Sequence, residues 1–399
     1  MKVYDYLKNA RTPAFLLLLF IIAPILSVEE TASPGALYVI TLALPMCVYA
    51  LSHTRNRLRN QYNYLAIALW LSCVISSIFG SYGVLGFNTI KELLLVLFFI
   101  FSTSYILSEK DIKFIFYGCF IIALLISVLV LLSYLGGYAH IESWYYMGRY
   151  SVGITGVYKN PNYLVSFLNI VLLIILYVLF LKKTKLLFTL LLVLVTILFV
   201  NAFYLSGARA AFLTMAFSIL FVLLELVKTK RTNSVATLFV IGCLVLFVIT
   251  FSYQGIMNRA DMFIGNRSFT EDEGRSFSWI IALNHWKESP VWGCGSESWS
   301  SIANSSSGMI WLHNIFLELL LNQGLIGVLL LILLVFSGYN KTKKEDRLFL
   351  IALVTVSAFP LFFQNGLWEM NFWRFILINR IAFNYSRYSK KGVLAAIIS

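Results

Sequence analysis

The chain has 399 residues, of which 60% are hydrophobic and only 12% are charged. Soluble domains carry roughly 25% charged residues, so this composition excludes an ordinary water-soluble protein. The net charge of +13 would favour a nucleic-acid partner in a soluble protein, whereas in a membrane protein basic residues on short loops set the orientation. We therefore predict an integral membrane protein that does not bind nucleic acid.

Apolar runs recur along the chain and have the length of helices that cross a bilayer, whereas β-barrel strands would alternate over about ten residues. Because hydrocarbon offers the backbone no hydrogen-bond partner, we predict an all-α polytopic membrane protein. About twelve transmembrane helices are expected, at 13–28, 35–52, 62–80, 88–107, 112–137, 160–181, 185–205, 207–227, 235–253, 311–337, 347–366 and 368–384. The first is interpreted as an uncleaved anchor, since no clear small-residue cleavage site follows it.

Clusters of Lys and Arg fall between these predicted helices, and under this map every cluster lies on the same side of the membrane. They are found at the N-terminus, 55–59, 110–113, 182–185, 228–231, 341–347 and 387–391. The positive-inside rule makes that side cytoplasmic, so both termini are predicted to face the cytoplasm. Residues 1–399 are treated as one membrane domain, and its largest extracytoplasmic loop, 254–310, connects the ninth and tenth helices.

Within this loop, the segment Ser276–Lys287 has the pattern of a short helix. Its apolar face would be formed by Phe277, Ile280, Ile281 and Leu283. A proline and two glycines between 290 and 295 then interrupt the helix. Such a helix is suited to lie on the membrane surface and cover a cavity.

Three residues at predicted helix starts on the extracytoplasmic side can carry chemistry: Arg209, Arg275 and His313. Guanidinium groups match phosphate oxygens in pairs, and helix N-termini present free N–H groups to an anion. Together these residues suit a lipid diphosphate at the membrane surface, and a histidine has the pKa range of a general base. Each also has a structural alternative: contact with headgroups for Arg209, solvation for Arg275, and a purely local role for His313.

Further candidates precede the sixth predicted helix. Arg149 and Lys159 are extracytoplasmic cations that can bind sugar or phosphate, with headgroup contact as the default alternative. Asn160 and Asn162 flank a proline in a pattern typical of a helix start, in which Asn160 is the N-cap. That structural role explains the pattern, and substrate binding is the second reading.

Two candidates lie close to the larger loop's end. Glu297 is in a Gly-rich stretch where it can contact sugar, and Asn314 directly follows His313. The five cysteines show neither a disulfide framework nor metal-ligand spacing. They therefore predict no metal site, and we expect no other cofactor.

The order and spacing of motifs over about residues 155–330 resemble the O-antigen polymerase/ligase family. The motifs are Asn160-Pro161-Asn162; Leu205-Ser206-Gly207-Ala208-Arg209; Gly274-Arg275, Trp279, Ala282-Leu283, Ser289-Pro290, Gly293 and Gly295; and His313-Asn314, Leu317-Glu318, Gly324 and Gly327. The first five predicted helices match the family only in hydrophobicity and topology.

The resemblance implies a GT-C-like membrane glycosyltransferase that works on the periplasmic face of the bacterial inner membrane. Such an enzyme moves a glycan from undecaprenyl diphosphate onto an acceptor hydroxyl with inversion. By matching motif, Arg209 and Arg275 would hold the diphosphate leaving group and His313 would activate the acceptor. The implied partners are the lipid-linked oligosaccharide donor, a glycan or lipid A–core acceptor, membrane lipids and a chain-length regulator.

Three functions remain open. A polymerase is favoured over a ligase, because the loop of about 57 residues is shorter than ligases of this family often carry. A ligase that transfers the finished glycan to lipid A–core is the first alternative. A transporter or flippase is the second, although it would place charged groups near the bilayer midplane, where these predicted helices are nearly free of them.

Overall fold

The structure is a computed structural model. It describes residues 14–15, 17–19, 21, 61–82, 93, 95–97, 99–100, 103, 107–135, 145–146, 149–150, 161–181, 186–206, 209–229, 275–306, 312–363, 370–389 and 392–398. The regular structure of these residues is helical, apart from two strands of two residues each, β1 (Tyr145–Tyr146) and β2 (Arg149–Tyr150). The strands pair antiparallel, with Tyr145 opposite Tyr150. The all-α prediction is thus confirmed for the described residues.

The helices with complete bounds are α1 (Gln61–Phe79), α2 (Glu109–Leu135), α3 (Pro161–Leu181), α4 (Leu186–Ser206), α5 (Arg209–Thr229), α6 (Arg275–Trp286), α7 (Ser298–Ser306), α8 (Ile315–Phe336), α9 (Arg347–Ala358), α10 (Met370–Tyr388) and α11 (Val393–Ile398). Short 3-10 turns follow α8 at Tyr339–Lys341 and α9 at Phe359–Phe363. The loop helix predicted at Ser276–Lys287 is confirmed as α6.

Five helical stretches among the described residues are long and apolar enough to cross a membrane: Gln61–Phe79, Glu109–Leu132, Leu186–Phe203, Ala210–Thr229 and Ile315–Lys341. Ser166–Leu181 and Arg347–Phe363 are shorter apolar helices. The predicted helices 35–52 and 235–253 lie outside the described residues. The chain is therefore a membrane protein with multiple apolar helices, and the count of twelve stays a prediction.

Helix α3 lies at the centre of the bundle. Nearly every residue from Ser166 to Phe180 is buried, and the helix packs against α4, α5 and α9. A helix that is apolar on all sides has no solvent face, so burial on every side is the arrangement its sequence favours. The neighbouring helices therefore pack around α3.

The bundle has two sides, which we call the loop side and the turn side. The loop side is the Phe79 end of α1, where a Cβ on Gly80 would collide with the carbonyl oxygen of Cys294. The turn side is the opposite end of α1, where the Tyr62 hydroxyl accepts a hydrogen bond of 3.1 Å from Arg387. Helices α8 and α10 both run from the loop side to the turn side.

Ring and polar contacts give the direction of α3 and α5. Tyr177, near the end of α3, packs edge-on against Phe349 at the turn-side start of α9, with ring centroids 5.1 Å apart. Glu225, near the end of α5, is close enough to Tyr177 to interact electrostatically with it. Pro161 and Arg209 therefore begin α3 and α5 on the loop side, as the sequence map requires.

Arg380 of α10 closes the turn-side end of α8. Its guanidinium donates two hydrogen bonds of 2.8 Å to the carbonyl oxygen of Ser337 and lies 3.2 Å from the ring centroid of Tyr62. The last carbonyl groups of a helix have no partner within it, so an arginine there satisfies them. The cation–π contact offsets part of the cost of burying the charge.

Candidate functional site

Helix α8 is broken at Gly324. This residue has φ 64° and ψ −159°, a conformation open to glycine and strained for other residues. A Cβ at this position would also collide with the carbonyl oxygen of Val291. The helix predicted at about 311–337 is found as α8, which begins at Ile315. The interruption of its hydrogen-bond ladder nine residues later was not predicted.

The segment 290–295 of the loop replaces the hydrogen bonds lost at the break. The backbone N–H groups of Cys294 and Gly295 donate to the carbonyl oxygens of Leu321 and Asn322 at 2.7 and 3.1 Å, and those of Leu325 and Ile326 donate to Pro290 and Val291 at 3.0 and 3.2 Å. Both halves of α8 thus gain the partners that an apolar surrounding demands. The glycines of 290–295 permit this close approach of two backbones.

Serines of α1 surround the same break. Ser72 donates a 2.8 Å hydrogen bond to the side-chain oxygen of Gln323, and Ser76 donates to the carbonyl oxygen of Asn322. Ser298, at the start of α7, donates to the amide oxygen of Asn322 at 2.8 Å. Since these groups are all buried, the network fixes the break and holds the loop against the bundle.

His313 and Asn314 lie immediately before α8. His313 has φ 52°, in the left-handed region that costs a residue with a Cβ roughly 1–2 kcal/mol. Asn314 is the N-cap of α8, and its side-chain oxygen accepts a 3.0 Å hydrogen bond from the N–H of Leu317. The cap is one physical reason why the helix begins here, while the strained backbone of His313 marks a candidate functional position.

Helix α6 begins at Arg275, one residue earlier than predicted, and connects to the His313 segment. Trp279, one turn after Arg275, donates a 3.0 Å hydrogen bond from its indole Nε1 to the carbonyl oxygen of Leu312. Residues i and i+4 share one face of a helix, so Arg275 and Trp279 point towards the same side of α6. The first turn of α6 and the start of α8 are thereby held together.

Arg209 is the first residue of α5, on the loop side. A row of aromatic rings links this helix to the start of α8: Phe217 packs on Phe359 with centroids 5.0 Å apart, and Phe362 packs on Phe316 at 4.5 Å. Phe359 and Phe362 belong to one 3-10 turn and are 6.2 Å apart. The helices that begin at Arg209 and just after His313 are therefore coupled through the turn that follows α9.

The other predicted site residues lie in the following positions. Glu297 precedes α7 with φ 60°, and it and His313 are the non-glycine residues of positive φ within the described ranges. Arg149 lies in β2, and Asn162 is in the first turn of α3. Lys159 and Asn160 lie outside the described residues.

A buried polar cluster between α3 and α10 was not among the predicted site residues. Arg374, five positions into α10, donates a 2.5 Å hydrogen bond to the hydroxyl of Ser166, and both residues are buried. Asn169, one turn further along α3, is fully buried, and its amide has no hydrogen-bond partner among the described residues. The signal available in the sequence was an arginine inside a predicted transmembrane helix, which is a functional candidate by default.

The helix starts at Arg209, Arg275 and Ile315 all belong to the loop-side assembly. Helix N-termini carry partial positive charge and N–H groups without intrahelical partners, and two of these three starts carry an arginine. Such an arrangement favours the binding of an anion at the membrane surface, with His313 at the edge of the binding site.

Comparison with known protein families gives a match to part of the chain. Residues 194–332 match the O-antigen ligase family, and the matched region runs from within α4 to the middle of the second half of α8. It includes Arg209, Arg275, Glu297, His313 and Asn314. No curated protein matches the chain. The family resemblance inferred from the motifs is confirmed.

Proposed function

We propose that this member of the O-antigen polymerase/ligase family is a polymerase-type glycosyltransferase that joins lipid-linked oligosaccharide repeat units. The donor would be an oligosaccharide on undecaprenyl diphosphate, and the released product would be undecaprenyl diphosphate. The observation that carries the proposal is the set of loop-side helix starts at Arg209, Arg275 and His313–Asn314, all within the family match. We place the reaction on the periplasmic face of the bacterial inner membrane.

Arg209 and Arg275 bind the diphosphate in this proposal. A lipid diphosphate is already a good leaving group, so the guanidinium groups and the helix N-termini need only stabilise the negative charge that grows as it departs. Preorganised positive groups in a site shielded from water are far more effective than the same groups in water. This chemistry requires no metal, and transfer is expected to persist in excess EDTA.

His313 is the proposed general base. The acceptor hydroxyl attacks the anomeric carbon, the new C–O bond forms as the bond to the diphosphate oxygen breaks, and the hydroxyl proton moves to the imidazole. A single displacement of this kind inverts the anomeric configuration. The base has to be neutral before the step, which an imidazole satisfies near pH 7.

The other candidates bind the sugars or position the reacting groups. We assign this role to Arg149, Lys159, Asn160, Asn162, Glu297 and Asn314. The lipid tail remains among the acyl chains, a chain-length regulator is a further expected partner, and both termini face the cytoplasm in a GT-C-like arrangement of about twelve helices. Loop-side residues then face the periplasm.

The proposal is tested with purified protein in nanodiscs and a lipid-diphosphate-linked repeat unit. Arg275→Ala is expected to lower transfer by at least about a hundredfold, because one charge-stabilising donor in a shielded site contributes roughly that much. Arg275→Lys keeps the charge and should recover part of the rate. Lys287→Ala, an exposed cation at the end of the same helix, is the matched control. Near-normal transfer by Arg275→Ala would contradict the leaving-group role.

The ligase remains the second candidate, because the matched family is described by that activity. A strain without the gene distinguishes the two. Lipid A–core that bears a single repeat unit indicates a missing polymerase. Bare lipid A–core, with long glycans accumulated on the lipid carrier, indicates a missing ligase.

A further inference from the structure

Large apolar side chains are exposed along α6 and the turn that follows it. Phe277 and Ile280 are 53% and 56% exposed, Trp292 is 48% exposed, and Leu283 and Val291 are also exposed. We call these five residues the α6 apolar surface. In water such a surface would cost about 25 cal/mol for each Å² left uncovered, and soluble surfaces rarely keep large contiguous apolar patches. This part of the 254–310 loop is therefore poorly suited to an aqueous surrounding.

The α6 apolar surface continues the lipid-facing stripe of α8. The second half of α8 exposes an apolar row at helical spacing, formed by Leu325, Leu329, Ile332, Leu333 and Phe336. Leu325, the first residue of this row, is hydrogen-bonded to the loop, because its N–H donates to the carbonyl oxygen of Pro290. Trp286, at the end of α6, donates from its indole to the same carbonyl oxygen at 3.1 Å.

The length of the second half of α8 requires the bilayer to reach past the break. Leu325–Phe336 spans about 18 Å at 1.5 Å per residue, well short of a hydrocarbon core of about 30 Å. Helix α1 spans about 28 Å by the same measure, and it exposes Ile78 and Phe79 in its last turn. Ser76 and Gly80 of α1 contact Asn322 and Cys294. The segment 290–295 thus lies at the depth of the last turn of α1, inside the leaflet.

Irregular backbone is tolerated at this depth only where its polar groups are satisfied by protein. The four backbone bonds between 290–295 and 321–326 provide this, and Ser77 adds a bond of 3.0 Å to the N–H of Ser296. These bonds satisfy much of the backbone of the turn within the protein, which lowers the cost of placing it in hydrocarbon. The side chains it then presents to the lipid are Val291 and Trp292.

We propose that α6 and the segment 290–295 form a re-entrant element, and that the α6 apolar surface is covered by acyl chains of the leaflet on the loop side. Arg275 stands two residues before Phe277 and is therefore held at headgroup depth. One consequence rests on the proposed function: a lipid diphosphate meets Arg275 without being lifted from the bilayer. The membrane contact itself does not depend on that function.

The contact is tested with nitroxide labels on single-cysteine variants in liposomes. Ile280→Cys and Trp292→Cys probe the surface, while Ser300→Cys in α7 and Lys344→Cys in the turn before α9 are exposed polar controls outside the element. Labels in the leaflet should collide mostly with dissolved oxygen, and the control labels mostly with a water-soluble nickel chelate. Labels at 280 and 292 that match the controls would overturn the proposal.

Native cysteines are replaced in this background, and size-exclusion behaviour verifies the fold. Cys294 is buried, so it is replaced by alanine or serine to keep the change small. A second measurement avoids these substitutions. Brominated lipids should quench the fluorescence of the wild-type protein more than that of Trp292→Phe, and equal quenching would also contradict the proposal.

The link to the substrate has its own readout. Ile280→Glu places a charge in the leaflet and is expected to raise KM for the lipid-linked donor several-fold, whereas Ser300→Glu, at an exposed position of α7, should leave KM nearly unchanged. A leaflet contact found by the labels, together with an inactive wild-type protein, would overturn the proposed function and leave the re-entrant element standing. Water-exposed labels on an active protein would overturn the re-entrant element and leave the proposed function standing.

Discussion

The indole Nε1 of Trp279 donates a 3.0 Å hydrogen bond to the carbonyl oxygen of Leu312, the residue before His313. This bond joins positions 33 residues apart and ties the first half of α6 to the start of α8. It brings the helix that begins with Arg275 to the proposed base. We therefore expect the relative positions of Arg275 and His313 to depend on the indole of Trp279.

Trp279→Phe keeps the aromatic ring and removes the donor. A hydrogen bond within a protein contributes about 1 kcal/mol, which corresponds to roughly fivefold in rate if it is used to position His313. We expect kcat to fall by about that factor while KM stays similar. Trp286→Phe, which removes an indole bond to Pro290 in the same helix, is the matched control and should leave kcat nearly unchanged. Equal effects of the two variants on kcat would argue against a positioning role.

His313→Gly separates backbone strain from chemistry. Because φ is 52°, glycine relieves the strain whereas alanine retains it, so His313→Gly should be more stable than His313→Ala by about 1 kcal/mol. Both variants lack the base and should lose transfer. Thermal unfolding in detergent and transfer in nanodiscs measure the two effects separately. Activity retained by the glycine variant would exclude His313 as the base.

Asn314 has two possible roles, a helix cap and a substrate ligand. Asn314→Ala should destabilise the protein by about 1 kcal/mol, since the N–H of Leu317 loses its acceptor. Asn314→Asp restores that acceptor and should recover the stability. If the amide N–H₂ group also binds substrate, transfer by Asn314→Asp stays low despite the recovered fold. Full activity of the aspartate variant would reduce Asn314 to a cap.

Gly324→Ala tests the break in α8. The added Cβ meets the carbonyl oxygen of Val291 and adopts a positive φ, so the variant has to separate the loop from the helix or distort both. We expect destabilisation of about 2 kcal/mol or more, from the sum of strain and weakened hydrogen bonds. Unfolding temperature and protease sensitivity near 290–295 measure it. Leu329→Ala, in the exposed apolar row of α8, should change neither the unfolding temperature nor the protease sensitivity. A similar response of both variants would contradict the stabilisation of the break at Gly324 by segment 290–295.

Local physical properties of the sequence determined the class of this protein. Hydrophobic runs and the placement of lysine and arginine act through transfer free energy and loop charge. They indicated an all-α membrane protein in which α1 runs opposite to α3, α5 and α8. The loop helix was predicted at Ser276–Lys287 and is found at Arg275–Trp286, because its pattern and the following glycines are contiguous. The family resemblance followed from motif order, in a region that overlaps the match of residues 194–332 to the O-antigen ligase family.

Only the tertiary structure decided how the loop side is assembled. The run Ile315–Phe336 reads as one apolar helix, and nothing in its hydropathy shows that Gly324 interrupts it. The break exists because segment 290–295, some thirty residues earlier in the chain, supplies the hydrogen bonds that the helix gives up. The positive φ of His313 and the burial of Arg374 against Ser166 have the same origin, since each depends on contacts between segments far apart in sequence. Hydropathy is a property of single residues, whereas these features are set by which backbones and side chains meet.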